Sequence, residues 1–344
     1  MNFQNAAPSS DSSQEAKVPL IDRFGRTHTS LRISVTDRCN IRCRYCMPES
    51  DVQFMPSHRW VSFANLTKLV GVLGNAGIRK IRLTGGEPLM RPGLDELIAL
   101  LGSLSTVEDL ALTTNGMLFA EQARRLKSAG LMRINISLDT LQEDTFQSIS
   151  RRSGLKSVLD GIEAALEEQF EVRLNAMILR DINLAGVIDL VRFARDRNLT
   201  LRFIEFMPLD ADRQWDRNRM VSGTELRDLL TKEFGPLAAC HRDDPNQPST
   251  DYDFVDGKGR LGFIDTVSAP FCSSCNRLRL TADGVLRNCL FGRDGWNLAP
   301  LLDPLDEQQI LSQLRECVLN KHASHGISEK GFEPPSLAMY QIGG

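Results

Sequence analysis

Between residues 31 and 234 the chain alternates short apolar segments with longer amphipathic ones six times in succession. That alternation restricts the possible folds more than any other feature of the sequence. Strands are predicted at 31–35, 80–84, 109–113, 133–138, 172–178 and 201–206, each mostly apolar and rich in β-branched residues, as strands covered on both faces are. Helices are predicted at 62–76, 94–101, 120–129, 156–169, 184–197 and 224–234. Gly77 and Gly130 each follow a helix and precede a strand, where a left-handed cap ends a helix. Ser222-Gly-Thr-Glu225 has the capping-box pattern before an apolar run. Six βα units in a row imply an α/β fold with a parallel sheet, either curved into a partial barrel or doubly wound.

Beyond residue 234 the pattern breaks. Residues 241–250 have loop composition, and a smaller, irregular C-terminal region follows. Three parts are expected: a poorly ordered N-terminal extension at 1–20, a core at 21–240, and a C-terminal domain at 241–344 ending in Gly343-Gly344. The first 17 residues are polar and lack the apolar block of a secretory signal. No run approaches the roughly 20 apolar residues of a membrane span. Forty-one basic and forty-four acidic side chains give a net charge of −3, which argues against nucleic acid or anionic membrane as partners. A cytoplasmic, reducing location is the expectation.

The eight cysteines suit that location, because six fall in two tight groups. Cys39, Cys43 and Cys46 lie just after the first strand. Three thiolates leave one iron of a [4Fe–4S] cluster open to a further ligand. The competing reading is a zinc site completed by His58. Cys272, Cys275 and Cys289 form the second group, again either a [4Fe–4S] cluster or a zinc site completed by His322 or His325. Cys240 and Cys317 stand alone as packed or surface residues. Active sites of parallel barrels sit at the C-terminal ends of the strands. Polar residues accumulate there: Gly85, Gly86 and Glu87 after the second strand, Thr113 to Asn115 after the third, Ser137 and Asp139 after the fourth, and Glu205 and Met207 after the sixth. Arg277 and Arg279, two residues apart, share one strand face beside the second cysteine group.

Cys-x3-Cys-x2-Cys with Tyr45 before its last cysteine, and Gly85-Gly86-Glu87-Pro88, resemble the motifs of the radical-SAM superfamily. The resemblance implies a partial (β/α)6 TIM-like barrel with a smaller C-terminal domain closing its mouth. It also implies S-adenosylmethionine (SAM) held at the open iron and cleaved reductively to a 5′-deoxyadenosyl radical. The stretch from Phe271 to Thr281, Asp283-Gly284, Leu286 to Phe291 and the terminal Ile342-Gly-Gly narrow this further. They are similar to the GTP 3′,8-cyclase family, molybdenum-cofactor biosynthesis protein A, as are the segments at 31–40, 80–90, 133–139 and 202–207.

The family resemblance implies two [4Fe–4S] clusters. SAM contacts are implied for Tyr45, Gly86, Ser137 and Met207, and GTP contacts for Arg32, Arg82, Thr113, Arg173, Arg277, Leu278 and Arg279. Catalytic roles are implied for Arg32, Gly343 and Gly344, the two glycines entering the active site with the tail. The implied reaction abstracts the ribose 3′ hydrogen, joins that carbon to guanine C8 and reduces the resulting radical, as the first step of molybdenum-cofactor biosynthesis. Implied partners are a flavodoxin- or ferredoxin-like electron donor, a downstream cyclic pyranopterin monophosphate synthase and a second copy of the chain. The sequence departs from the family at Arg173, where a lysine is usual. A peptide-modifying maturase is the alternative enzyme, although more C-terminal cysteines are expected of one. A zinc-stabilised GTP-binding module is the non-enzymatic alternative, but the phosphate-cradling Gly-x4-Gly-Lys-Ser/Thr pattern is missing.

Overall fold

The computed structural model describes residues 19–242 and 244–343. Most of the N-terminal extension and Gly344 lie outside the described residues, while Leu20, at the edge of that extension, is buried in the main core. Six strands and the helices between them follow the predicted alternation. β1 (Ser30–Ser34) leads through α1 (Phe63–Asn75) to β2 (Lys80–Thr84), and α2 (Leu94–Gly102) leads to β3 (Asp109–Thr114). α3 (Ala123–Ser128) then leads to β4 (Arg133–Ser137), and α4 (Glu143–Ser150) with α5 (Leu155–Glu167) to β5 (Glu171–Met177). α6 (Val187–Asp196) leads to β6 (Thr200–Ile204), and α7 (Gly223–Phe234) closes the series.

Local chemistry explains the boundaries. Ser62 and Ser222 cap α1 and α7, each accepting a hydrogen bond at 3.2 Å from the backbone N–H three residues on. Only half of the capping box at α7 forms, because the Glu225 carboxylate pairs with Arg180 instead. Gly77 and Gly130 adopt φ of +119° and +97°, as their places after helices predict. α4 escaped the sequence reading because it is eight residues long and buries only Phe146, Ile149 and Ser150, too few for a periodic signal.

After α7 the chain adds strands to both edges of the same sheet. β7 (Leu237–Ala239), β8 (Thr250–Phe254) and β9 (Arg260–Ile264) extend it beyond β6, and β9 is parallel to β6. β10 (Arg277–Leu280), β11 (Val285–Arg287) and β12 (Trp296–Asn297) extend it beyond β1, and β10 is parallel to β1. The result is one twelve-stranded sheet in the order β12-β11-β10-β1-β2-β3-β4-β5-β6-β9-β8-β7. Among the described residues it is open, with no pairing between β9 and β10, so the partial barrel of the sequence reading is the form adopted. The sheet passes residue 240 without a break. α8 (Glu307–Leu319) packs Ile310, Leu314, Cys317 and Val318 into the main core, and α9 (Met339–Ile342) carries the tail.

The inner and outer faces of the barrel differ in kind. Leu31, Ile33, Ile81 and Leu83 point to the helices and are fully buried. The alternate positions Arg32 and Arg82 point inward, where an ordinary barrel stacks Val, Ile and Leu. Residues of β1 to β6, β9 and β10 all border one cavity of about 400 Å³, which is possible only because the sheet curls around it. None of the helices among the described residues is long and apolar enough to cross a membrane.

Candidate active site

The loop after β1 carries Cys39, Cys43 and Cys46 and is held from several sides. Arg91, stacked on Trp60 and Phe63, donates to the Val35 and Val61 carbonyls at 2.7 Å each. The C-terminal end of α4 accepts the Arg42 N–H at Ser150 (2.8 Å) and the Arg44 N–H at Ile149 (3.0 Å). Arg151, in the left-handed region at φ +55°, donates to Met47 O at 3.0 Å. All three thiols line the cavity. Burial pushes the Cys39 thiol up to about 11 and those of Cys43 and Cys46 upward as well, so metal uptake must displace their protons.

The Gly85-Gly86-Glu87-Pro88 turn lies directly on that loop. Gly86 N–H donates to Thr36 O (2.8 Å) and Glu87 N–H to Arg38 O (2.7 Å). A Cβ on Gly86 would sit 2.3 Å from Arg38 O, so only glycine permits this approach. Glu87 is buried and accepts from Thr114 Oγ1 (2.7 Å), Asn115 N (2.7 Å) and Leu89 N (3.0 Å). Burial outweighs these bonds and lifts its carboxyl to about 7. Across the cavity Asp139 accepts from Tyr45 Oη (2.7 Å) and Met177 N (2.8 Å), and burial lifts it to about 6. Tyr45, Gly86, Ser137 and Met207 all border this end.

The second group flanks β10 and β11 at the N-terminal end of the barrel strands, the end of the cavity opposite the first group. Cys272 and Cys275 precede β10, Cys289 follows β11, and all three line the cavity. Burial raises Cys272, whereas at Cys275 the nearby Arg277 and Lys321 charges overcome burial and bring the thiol down to about 6. His325 donates and accepts through its ring: Nε2 contacts Thr266 O at 2.7 Å and Nδ1 accepts from Ile327 N at 3.1 Å. Both ring nitrogens are therefore committed, which removes His325 as a fourth zinc ligand. His58 is exposed and outside the cavity.

Between the two cysteine groups the cavity wall is cationic. Register places Arg279, Arg32 and Arg82 side by side on β10, β1 and β2. Burial lowers the affinity of Arg32 for its proton well below the usual value, and the neighbouring Arg279, Arg82 and Arg277 charges lower it further. Deeper in the barrel the cations are paired: Lys80 with Asp244, Arg133 with Asp109, Arg173 with Glu171 and Arg202 with Asp251. Among the described residues no carboxylate lies within ion-pair distance of Arg32, Arg82, Arg277 or Arg279. Four half-buried or buried guanidiniums without counterions are costly unless an anion joins them. Arg279 Nη1 also donates to Gly343 O. Gly343 has φ +85°, and a Cβ there would approach Thr84 Oγ1 to 2.6 Å.

The pattern of the Radical SAM superfamily matches residues 33–194, and that described as Molybdenum Cofactor Synthesis C matches residues 199–327. The GTP 3′,8-cyclase of Rhodopirellula baltica is 48% identical over 335 residues, covering 95% of this chain and 92% of that protein. The chain belongs to the GTP 3′,8-cyclase family. A Listeria monocytogenes GTP 3′,8-cyclase is 38% identical, covering 94% of this chain and 99% of that protein. Streptococcus suis SuiB bound to S-adenosylmethionine shares the fold, with a TM-score of 0.59 at 15% identity over 92% of this chain and 77% of that one.

The donor sets fit the iron–sulfur clusters of a radical SAM cyclase. Among the described residues no three His, Cys, Asp or Glu side chains converge tightly enough for a single metal ion. A single zinc draws its ligands to about 2.3 Å, whereas three thiols spread around an open volume suit a polynuclear cluster.

Arg32, Arg82, Thr113, Arg173, Arg277 and Arg279 all reach the cavity. Leu278 does not. Strand alternation turns its side chain to the helix side, where it is fully buried against the core, so only its backbone remains on the cavity side. Lys80, Arg133, Arg202 and Asn288 line the cavity without having been singled out as site residues. For Lys80, Arg133 and Arg202 the signal was present as charged residues at inward positions of otherwise apolar strands, whereas Asn288 is uncharged and lies past the end of β11.

Proposed function

We propose that this protein converts GTP to 3′,8-cyclo-7,8-dihydroguanosine 5′-triphosphate, as a radical SAM lyase in the first step of molybdenum-cofactor biosynthesis. One observation carries the reading: four guanidiniums without carboxylate partners share a cavity with two three-thiol groups. Cys39, Cys43 and Cys46 would hold one [4Fe–4S] cluster and Cys272, Cys275 and Cys289 the other, dividing the work between a 21–240 core and a 241–344 C-terminal domain. When bound, the clusters and SAM supply electrons and the 5′-deoxyadenosyl radical that takes the ribose 3′ hydrogen.

The chain's own residues bind, orient and enclose. A triphosphate carries about four negative charges, and guanidinium forks bind phosphate oxygens in pairs. Arg32, Arg82, Arg277 and Arg279 neutralise that charge, with Arg173 and Thr113 further along the wall. Tyr45, fixed by Asp139, and Gly86, Ser137 and Met207 shape the SAM side. Arg32 lies in the centre of the arginine row and positions substrate. The tail brings Gly343 against Arg279 and Ser34, and the catalytic role implied for the two terminal glycines is part of this reading. A flavodoxin- or ferredoxin-like protein supplies electrons, a cyclic pyranopterin monophosphate synthase takes the product, and the enzyme works in the cytoplasm as a homodimer. The cationic wall and the three-cysteine C-terminal group disfavour peptide modification, and the resemblance to SuiB extends to the fold alone.

The test is anaerobic incubation of reconstituted protein with SAM, dithionite and each nucleoside triphosphate, read by chromatography and mass spectrometry. A product isomeric with GTP, formed from GTP alone with one 5′-deoxyadenosine each, is expected. Formation of 5′-deoxyadenosine with GTP left unchanged refutes the GTP assignment and leaves the radical SAM assignment standing.

A further inference from the structure

The turn at residues 22–28 meets the second cysteine group through one side chain. Arg26 is 6% exposed. Its Nε donates to Asp22 Oδ2 at 2.6 Å, and its Nη1 donates to Cys272 O at 2.8 Å and Ala323 O at 3.2 Å. Nη2 donates to His322 O at 2.7 Å. Four of its five N–H donors are thus committed to acceptors in three chain segments, two of them more than 240 residues away in sequence.

The Arg26 guanidinium is itself held in place. Asp22 accepts the Phe24 and Arg26 backbone N–H groups at 2.9 and 3.0 Å and faces His28 Nε2 at 3.1 Å. The segment that begins at His322 and Ala323 continues to His325, which lines the cavity together with Cys272. Arg26 therefore ties the Cys272 backbone to the 322–323 segment through one guanidinium.

We propose that Arg26 is a positioning residue for the second iron–sulfur cluster, orienting Cys272 as a ligand and holding the 322–323 segment beside it. This rests on the reading of Cys272, Cys275 and Cys289 as cluster ligands. Hydrogen bonds to ligating sulfurs and the groups that orient them set a cluster's lability and reduction potential. A planar fork is required, because a lysine at this position reaches one or two of the three carbonyls but cannot serve all of them together with Asp22.

The experiment uses the full chain with Cys39, Cys43 and Cys46 changed to Ala, so that bound iron reports the second group alone. Into this parent are placed Arg26→Gln and Arg26→Lys. After anaerobic reconstitution, iron per chain, the rate of iron release to a chelator and the electron paramagnetic resonance spectrum of the reduced protein are measured. Arg26→Gln is expected to release iron at least tenfold faster than the parent and to change the spectrum, with Arg26→Lys between the two. In the reciprocal parent, with Cys272, Cys275 and Cys289 changed to Ala, Arg26→Gln should leave iron release from the first group unchanged. If Arg26→Gln does not fold, Asp22→Asn frees the same guanidinium while keeping it in place, and an intermediate release rate is expected. Parent-like release and spectrum in the Arg26 variants overturn the inference, as does equal acceleration at both groups. If the first parent binds no iron, the second-cluster reading itself falls and takes this inference with it.

Discussion

Replacing Arg32 with methionine should stabilise the ligand-free protein and destroy its response to GTP. Arg32 lies between Arg279 and Arg82 in cross-strand register, so it meets two like charges across neighbouring strands. Strands are about 4.8 Å apart. At that separation and an effective dielectric of about 20, each like pair costs about 3 kcal/mol. Water in the cavity screens this, leaving about 1 kcal/mol for each pair and about 2 kcal/mol for the two. Methionine keeps most of the apolar stem that packs in the wall while removing the charge. At about 2 °C per kcal/mol for a chain of this size, the melting temperature of the metal-free, GTP-free protein should rise by about 4 °C. GTP at a hundred times its dissociation constant stabilises a binding-competent protein by about 2.7 kcal/mol, a shift the variant should lack. Differential scanning calorimetry with and without GTP reads both effects. A ligand-free variant that melts lower than the parent, or one that keeps the full GTP shift, refutes the argument that the row is held for an anion.

Changing any of Cys39, Cys43 or Cys46 to Ala should abolish SAM cleavage, measured as 5′-deoxyadenosine, because three thiolates are the minimum that holds a site-differentiated cluster. Replacing Arg277 and Arg279 together with Ala should weaken GTP turnover at least tenfold and spare basal SAM cleavage; normal GTP turnover would remove them from the binding site. Gly343→Ala meets Thr84 Oγ1 and a left-handed φ, costs of about 1–2 kcal/mol for the backbone alone, so the GTP product should fall about tenfold in a discontinuous assay. His28 is buried and held down at about 4, first by desolvation and then by the Lys321 charge, with Asp22 opposing and Arg26 adding to the depression. Its folded value lies below the unfolded one near 6.5, so the unfolded chain binds the extra proton and His28 costs stability as pH falls from about 6.5 toward 4. Wild type should therefore lose up to about 2 kcal/mol relative to His28→Asn between pH 6.5 and pH 5; a constant difference across that window contradicts the assignment.

Much of the fold was legible because its signals are local. A strand such as Lys80–Thr84 and a cap such as Ser62 depend on neighbours within a few residues. The elements that escaped are those with weak local signals. α4 is short and mostly polar, yet its Ile149 and Ser150 carbonyls anchor the loop of the first cysteine group. β9 and β10 are four or five residues long, and only their pairing with β6 and β1 makes them part of the barrel. Composition did not tell the two faces of the barrel strands apart. Arg32 and Arg82 sit in strands whose composition suggested cover on both sides, but period-two alternation gives such strands two unlike faces.

The candidate site divides along the same line. Cysteine spacing, the Gly-Gly-Glu-Pro turn and Arg277-x-Arg279 are short-range patterns, and the sequence alone determined them together with the six βα units and the family resemblance. Tertiary structure decided which arginines stand side by side without carboxylates, which cations are already paired, and that Leu278 faces the core while Arg202 and Arg133 face the cavity. It also decided that Arg26 reaches Cys272 across 246 positions of sequence. The physical reason is that local conformation depends on the preferences of adjacent residues, whereas strand order, register and the burial of a charge depend on segments brought together only when the whole sheet curls and closes on its core.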